Sequence, residues 1–223
     1  MTFHDYPDAD MMALRLADQL ASDLRQALEQ KDNVLFVVPG GTTPGPVFDT
    51  MSAVDLDWSR VRVLLSDERW VPEDHPRSNT TLVRDRLLTG HAAHAQMVPL
   101  FIEGATPHEA LARLTLASEP ELPIDVCLLG MGADMHTASL FPGAPGLEAA
   151  LGEDAPVLSV QVPKDQPEAR VTLSARVLRD ASALHVVITG DDKKAAVHRA
   201  ADLPPQRAPI AAVLDQAEVH WAK

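Results

Sequence analysis

The sequence predicts an α/β fold: a doubly wound, mostly parallel sheet with helices on both faces. Two observations carry this. The runs VLFVV (34–38), VRVLL (61–65) and IDVCLLG (124–130) are short, continuous and apolar, as strands buried on both faces must be. Segments of helical spacing stand between the strands, and that alternation favours parallel pairing. The chain of 223 residues is 46% hydrophobic and 23% charged, enough for one domain with a core, and no linker, repeat or low-complexity tract divides 1–223.

Taken in order, Met12, Leu16, Leu20, Leu24 and Leu28 recur every four residues and predict an amphipathic helix over 8–30. The strand 34–38 runs into PGGTTPG, where Thr42 or Thr43 is placed to cap a helix with Pro44 in its first turn. The strand 61–65 breaks into SDERWVPEDHPRSN, followed by a helix over 79–88. MVPLF is a short third strand, with a helix over 106–116 after it. IDVCLLG delivers GMGADMHTASLFPG, in which Thr137 and Ser139 are placed to cap a following helix. LSVQV, RVTLS and LHVVIT read as strands, DDKKAAVHRA as a helix, and PIAAVL and EVHW close the chain.

Composition narrows the function. A net charge of −13 argues against nucleic acid or an anionic membrane as partner, although a few local cations still permit a small anionic substrate. No run approaches the ~20 apolar residues of a membrane span, and the acidic start MTFHDYPDADMM lacks the pattern of a signal peptide, so a cytoplasmic location is expected. Cys127 is the only cysteine and lies in an apolar run, which predicts a buried, inert thiol. The histidines other than His136 are scattered without metal-ligand spacing, and no metal site is expected.

Three polar clusters fall at carboxyl ends of predicted strands, where open α/β sheets bind their ligands. In the first, Gly40, Gly41, Thr42 and Thr43 offer backbone N–H groups, hydroxyls and a helix N-terminus to a phosphate or other anion. The turn is no Walker loop, and GMGADM is no dinucleotide fingerprint, its sixth position being methionine. In the second, Asp67 is placed to bind sugar hydroxyls and Arg69 to meet a phosphate or brace the loop; a surface ion pair is an equal reading. Arg77, Ser78 and Asn79 add donors before the next helix.

The third cluster holds His136. An imidazole, unperturbed near pKa ~6.5, can serve as a water-activating base at neutral pH, and Asp134 two residues earlier is placed to fix its orientation. Arg170 before VTLS and Lys193 after the LHVVIT strand supply cations near strand ends.

PGGTTP, SDERWVPEDHPRSN, GMGADMHTASLFPG, ARVTLS and ITGDDK, in this order and spacing, resemble the bacterial 6-phosphogluconolactonase family over nearly the whole chain. The resemblance implies hydrolysis of 6-phospho-D-glucono-1,5-lactone in the oxidative pentose phosphate pathway, without a cofactor. It implies His136 as base, Asp134 as its orienting partner, and the remaining candidates as phosphate and sugar ligands. Two positions depart from the family: Met135 replaces the usual glycine between aspartate and histidine, and Pro39 replaces a serine. Either Met135 has an ordinary backbone or the chain tolerates strain there. Two rival readings are a glucosamine-6-phosphate deaminase, whose family reads DGHIAFNEP at this turn, and a non-catalytic sugar-phosphate sensor.

Overall fold

Strands without polar alternation have to be covered on both faces. In the computed structural model, which describes residues 1–164 and 166–223, such strands form the middle of a seven-stranded sheet. The strands are β1 (Thr2–Asp5), β2 (Val34–Val38), β3 (Val61–Leu65), β4 (Asp67–Arg69), β5 (Gln96–Val98), β6 (Val126–Gly130), β7 (Leu158–Gln161), β8 (Arg170–Leu173), β9 (Ala183–Thr189) and β10 (Glu218–Ala222). The helices are α1 (Ala9–Leu28), α2 (Gly45–Ser52), α3 (Asn79–Arg86), α4 (Pro107–Ser118), α5 (Leu147–Leu151), α6 (Ala175–Arg179), α7 (Asp191–Ala200) and α8 (Ala211–Leu214).

The large sheet has the order β1-β10-β9-β6-β2-β3-β5, and every pairing in it is parallel. All five residues of β2 are buried, as the unbroken run VLFVV requires. Each such aliphatic or aromatic side chain contributes roughly 1.5–3 kcal/mol when fully removed from water. Helix α1 buries Met12, Leu16, Leu20, Leu24 and Leu28, the stripe read from the sequence, and Asp8 caps it by accepting from the Met11 amide at 2.7 Å. Helix α4 begins with a reciprocal capping box between Thr106 and Glu109. Cys127 is fully buried, and burial pushes its thiol pKa up.

Several expectations need correction. LSVQV and RVTLS do form strands, but they belong to a separate three-stranded antiparallel sheet, β4-β8-β7, rather than to the parallel one. Its third strand, β4, lies inside the segment read as a break; Asp67–Arg69 pairs with Arg170–Thr172, and three residues are too few to show a period. No threonine caps α2: Pro44 occupies the cap position and makes no side-chain bond. Nor does a helix follow Thr137 and Ser139, whose hydroxyls are used elsewhere.

Topology fixes where a ligand can bind. After β2 the chain adds β3 and then β5 on one side, and β6 then returns to the other side of β2. The strand order therefore reverses between β2 and β6, and the crevice of such sheets opens at the carboxyl ends of that pair. Those ends carry PGGTT and GMGADMH.

Outside the crevice, polar groups from α1, β9, β10 and the end of β1 form a chain of hydrogen bonds. Asp23 meets His185 Nε2 at 2.9 Å, His185 Nδ1 meets His220 Nε2 at 3.1 Å, and His220 Nδ1 meets the Tyr6 hydroxyl at 2.9 Å. Burial, and then the neighbouring His185 and His4, push the His220 pKa down to about 3. Native His220 thus stays neutral where an unfolded histidine, at about 6.5, takes up a proton. The unfolded state binds more protons across that window, so stability falls as pH drops from about 6.5 toward 3. Replacing His220 by Gln removes this titration. In urea unfolding, His220→Gln is expected to lose less stability between about pH 7 and pH 4.5 than the parent chain; equal losses would exclude His220 as a source of the acid sensitivity.

Candidate active site

The turn after β6 is held shut by its own backbone. The amide of Met135 donates to the Gly132 carbonyl at 2.9 Å, and the amide of Gly132 donates to the His136 carbonyl at 3.0 Å. This geometry puts Met135 in the left-handed region, φ 68°, so the tolerated strain rather than an ordinary backbone is what the chain adopts. An L-residue there costs about 1–2 kcal/mol relative to the right-handed region. Its carbonyl accepts from the Ile210 amide at 3.1 Å, and its side chain packs against the core, two contacts that hold the residue in place.

The turn presents an aspartate–histidine pair. His136 Nδ1 lies 2.5 Å from Asp134 Oδ1, and the same oxygen accepts from the His136 amide at 3.2 Å. A carboxylate only accepts, so the ring proton sits on Nδ1 and Nε2 keeps its lone pair. Burial raises the Asp134 pKa, but the hydrogen bond from His136, and the charge of that ring when protonated, outweigh it and hold the carboxyl below its ordinary value. The Phe141 ring packs against the imidazole with centroids 4.5 Å apart. Gly132 leaves room for the pair: a Cβ on it would overlap the His136 ring and the Asp134 carboxyl.

His136 opens on a cleft of about 310 Å³ at the switch point. The first wall is the turn 39–44. Among the described residues none accepts a hydrogen bond from the amides of Gly40, Gly41, Thr42 or Thr43, which leaves them for a ligand. Gly41 has φ 88°, and a Cβ on Gly40 would overlap Asn79.

Three cations share the cleft. Arg69 donates to Asn79 Oδ1 at 2.5 Å and to the Arg77 carbonyl at 2.9 Å, while Asn79 Nδ2 donates to the Asp67 carbonyl at 2.9 Å. Arg170 is 4% exposed and donates to Gln166 at 3.0 Å. Burial lowers its pKa and Asp67 pulls the other way. Among the described residues the Nε of Arg69 and of Arg170 is buried without a partner. Lys193 makes no hydrogen bond or ion pair among the described residues, and burial lowers its pKa. Donors held in this condition fit an anionic ligand.

Asp67 lines the cleft but is already engaged. It is 8% exposed and accepts from Ser139 Oγ at 2.5 Å and from Ser66 Oγ at 3.1 Å. The surface ion pair with Arg69 does not form. Two sequence candidates stand off the cleft wall: Arg77 pairs with Glu168 at 2.9 Å, and Asp134 lies behind His136, facing an adjoining recess.

Sequence reading missed Glu68, Phe141 and Gln166. Glu68 is 1% exposed and accepts from the amides of Arg69 (2.7 Å), Asn79 (2.8 Å) and Thr80 (2.8 Å) and from the hydroxyls of Ser78 (3.0 Å) and Thr80 (2.8 Å). It pins the segment that carries Arg69 and Asn79. The available signal was a carboxylate set between Asp67 and Arg69 on a strand too short to recognise.

Against known proteins, the family model described as glucosamine-6-phosphate isomerases/6-phosphogluconolactonase matches residues 7–221. The chain belongs to this family. It is 42% identical over 212 residues to a 6-phosphogluconolactonase of Pseudomonas aeruginosa, covering 92% of this chain and 88% of that one. It is 40% identical over 225 residues to one of Mesorhizobium japonicum, covering 97% and 93%. The crystal structure of a 6-phosphogluconolactonase from Shewanella baltica superposes with a TM-score of 0.96 at 31% identity, covering 100% of this chain and 98% of that one. The parallel sheet and its flanking helices are therefore the family's fold, as the resemblance implied.

Two variants probe the turn. Gly132→Ala should lower kcat/KM about 10²-fold by displacing the imidazole, with the melting temperature shifted far less than the rate. Met135→Gly should stay within about 1 kcal/mol of the parent in urea unfolding, relief of backbone strain offsetting lost packing, whereas Met135→Val should lose about 2 kcal/mol or more. A valine variant as stable as the parent would contradict the left-handed backbone.

Proposed function

We propose that this chain hydrolyses 6-phospho-D-glucono-1,5-lactone to 6-phosphogluconate in the pentose phosphate pathway, with His136 as the base. The observation that carries the reading is the Asp134–His136 pair, whose unprotonated Nε2 opens on a cleft containing Arg69, Arg170 and Lys193, in a chain 42% identical to a 6-phosphogluconolactonase.

The geometry supports the following steps. His136 Nε2 takes a proton from water as the water oxygen bonds to the lactone carbonyl carbon. The oxyanion that forms is met by free amides of the turn 40–43. On collapse the bond from that carbon to the ring oxygen breaks, and the imidazolium returns its proton to the ring oxygen. Asp134 keeps the ring oriented and stabilises the imidazolium while it lasts. The phosphate is held by the cations Arg69, Arg170 and Lys193, while the Gly40–Thr43 turn serves the lactone end; Asp67 and Asn79 set the loops that present them. Arg77 supports this wall through its carbonyl. These steps draw only on the chain's own groups and water.

The other chemistry of the family fits the site less well. A deaminase needs a further carboxylate near its histidine, and here Thr137, Ala138 and Ser139 follow. Asp67, the carboxylate lining the cleft, is committed to two serines. Among the described residues no helix is long and apolar enough to cross a membrane. From its relatives among metabolic enzymes we infer a cytoplasmic enzyme acting as one unit over 1–223.

The test is lactone decay followed in real time at neutral pH, corrected for spontaneous hydrolysis. The chain should outpace the blank, His136→Ala should lose about 10²–10⁴ in kcat, and Asp134→Asn should lose kcat with KM little changed. A His136→Ala variant as fast as the parent removes the base from its role. A parent no faster than the blank removes the function.

A further inference from the structure

Spacing along the sequence gave no sign of a metal site, but the fold joins residues from opposite ends of the chain. His4 in β1 and Glu218 in β10 are 214 positions apart, and His4 Nε2 lies 3.0 Å from Glu218 Oε2. His220, two residues along β10, completes the group: one ligating atom from each of the three lies within 4.8 Å of the others. We propose that His4, Glu218 and His220 bind one transition-metal dication of the zinc class, clamping the edge strand β1 to β10.

The donor set selects the ion. Two imidazoles and a carboxylate suit Zn²⁺ and its neighbours, whereas Mg²⁺ and Ca²⁺ take oxygen ligands. Three protein ligands leave a further position to water.

The buried ligand is held ready. His220 is 2% exposed, and its tautomer follows from the chain of bonds behind it. Asp23 only accepts, so His185 carries its proton on Nε2 and accepts at Nδ1. His220 must then donate from Nε2, which leaves a lone pair on Nδ1. A metal-ligating histidine ordinarily donates its other ring N–H to a fixed acceptor, and here His185, itself held by Asp23, is that acceptor. Without metal, that lone pair accepts from the Tyr6 hydroxyl at 2.9 Å, and an ion takes the place of the hydroxyl proton.

The other two ligands can adjust. His4 and Glu218 side chains are 37% and 42% exposed. The His4 ring stacks on His220 with centroids 4.9 Å apart and planes 15° apart, so it turns about its side-chain bonds to aim Nε2 at the ion. β10 and β9 separate β1 from β6, and none of the three ligands lines the catalytic cleft. The role is structural: the ion ties the first strand to the last.

The test uses the full chain without a histidine tag, stripped with a chelator. Zn²⁺ alone is titrated by calorimetry, and Co²⁺ by visible absorption, which reports nitrogen and oxygen coordination. One ion per chain is expected, with a rise in Tm of about 5–10 °C at a hundredfold excess over Kd. His4→Ala and Glu218→Gln should each weaken binding at least tenfold while melting, metal-free, near the parent temperature. His136→Ala, which alters the other histidine–carboxylate pair, should bind as the parent does. Absence of binding, binding undiminished in both strand variants, or loss of binding in His136→Ala would each overturn the proposal.

Discussion

The hydrogen bond from Ser139 to Asp67 holds the candidate cleft together. Ser139 belongs to the segment that leaves β6 with His136, and Asp67 opens β4, 72 positions away in sequence. The bond joins the end of the parallel sheet to the small antiparallel one, which carries Arg69 and Arg170. A buried carboxylate is costly unless paired or well hydrogen-bonded, so Asp67 ties down whatever satisfies it. Ser66 meets one oxygen and Ser139 the other, and the Ser139 amide in turn donates to Thr172 in β8. His136 and the cations thereby share one frame.

Glu68 repeats the device on the other side of the same strand. Burial raises its pKa, and donors from Asn79, Thr80 and Arg69 work against that rise. Five hydrogen bonds to one side chain fix the path of the loop between β4 and α3 more firmly than packing of its polar residues can. Consecutive residues of a strand point to opposite faces. Asp67 therefore binds the β6 segment while Glu68 binds the start of α3, and one short strand braces two walls of the cleft.

Much of this was legible in the sequence. Continuous apolar runs gave β2 and β3 to the residue, and a four-residue apolar spacing gave α1 within two residues at each end. Polar clusters at strand ends located the cleft, because strand direction dictates where such sheets bind ligands. What stayed hidden depends on contacts between distant segments. A three-residue strand has no readable period, so β4 and the second sheet were invisible. The commitment of Asp67 to Ser139, the ion pair that draws Arg77 away, and the gathering of His4, Glu218 and His220 are tertiary facts. Met135 lies between these cases: the sequence posed strain against an ordinary backbone, and only a dihedral angle decides.

An acidic chain with a cationic cleft is a consistent arrangement rather than a conflict. The charge of −13 is spread over a surface where ions screen it within about 8 Å at physiological salt. Arg69, Arg170 and Lys193 line one crevice, where a charge acts on an anion at short range and with little screening by salt. Partial burial of Lys193 and Arg170 lowers their pKa values by weakening their hydration, and the same loss of water makes an incoming phosphate a better partner than the solvent it replaces. The Nε groups of both arginines, unpartnered among the described residues, point the same way. In the proposed reaction the substrate phosphate is the partner these donors take.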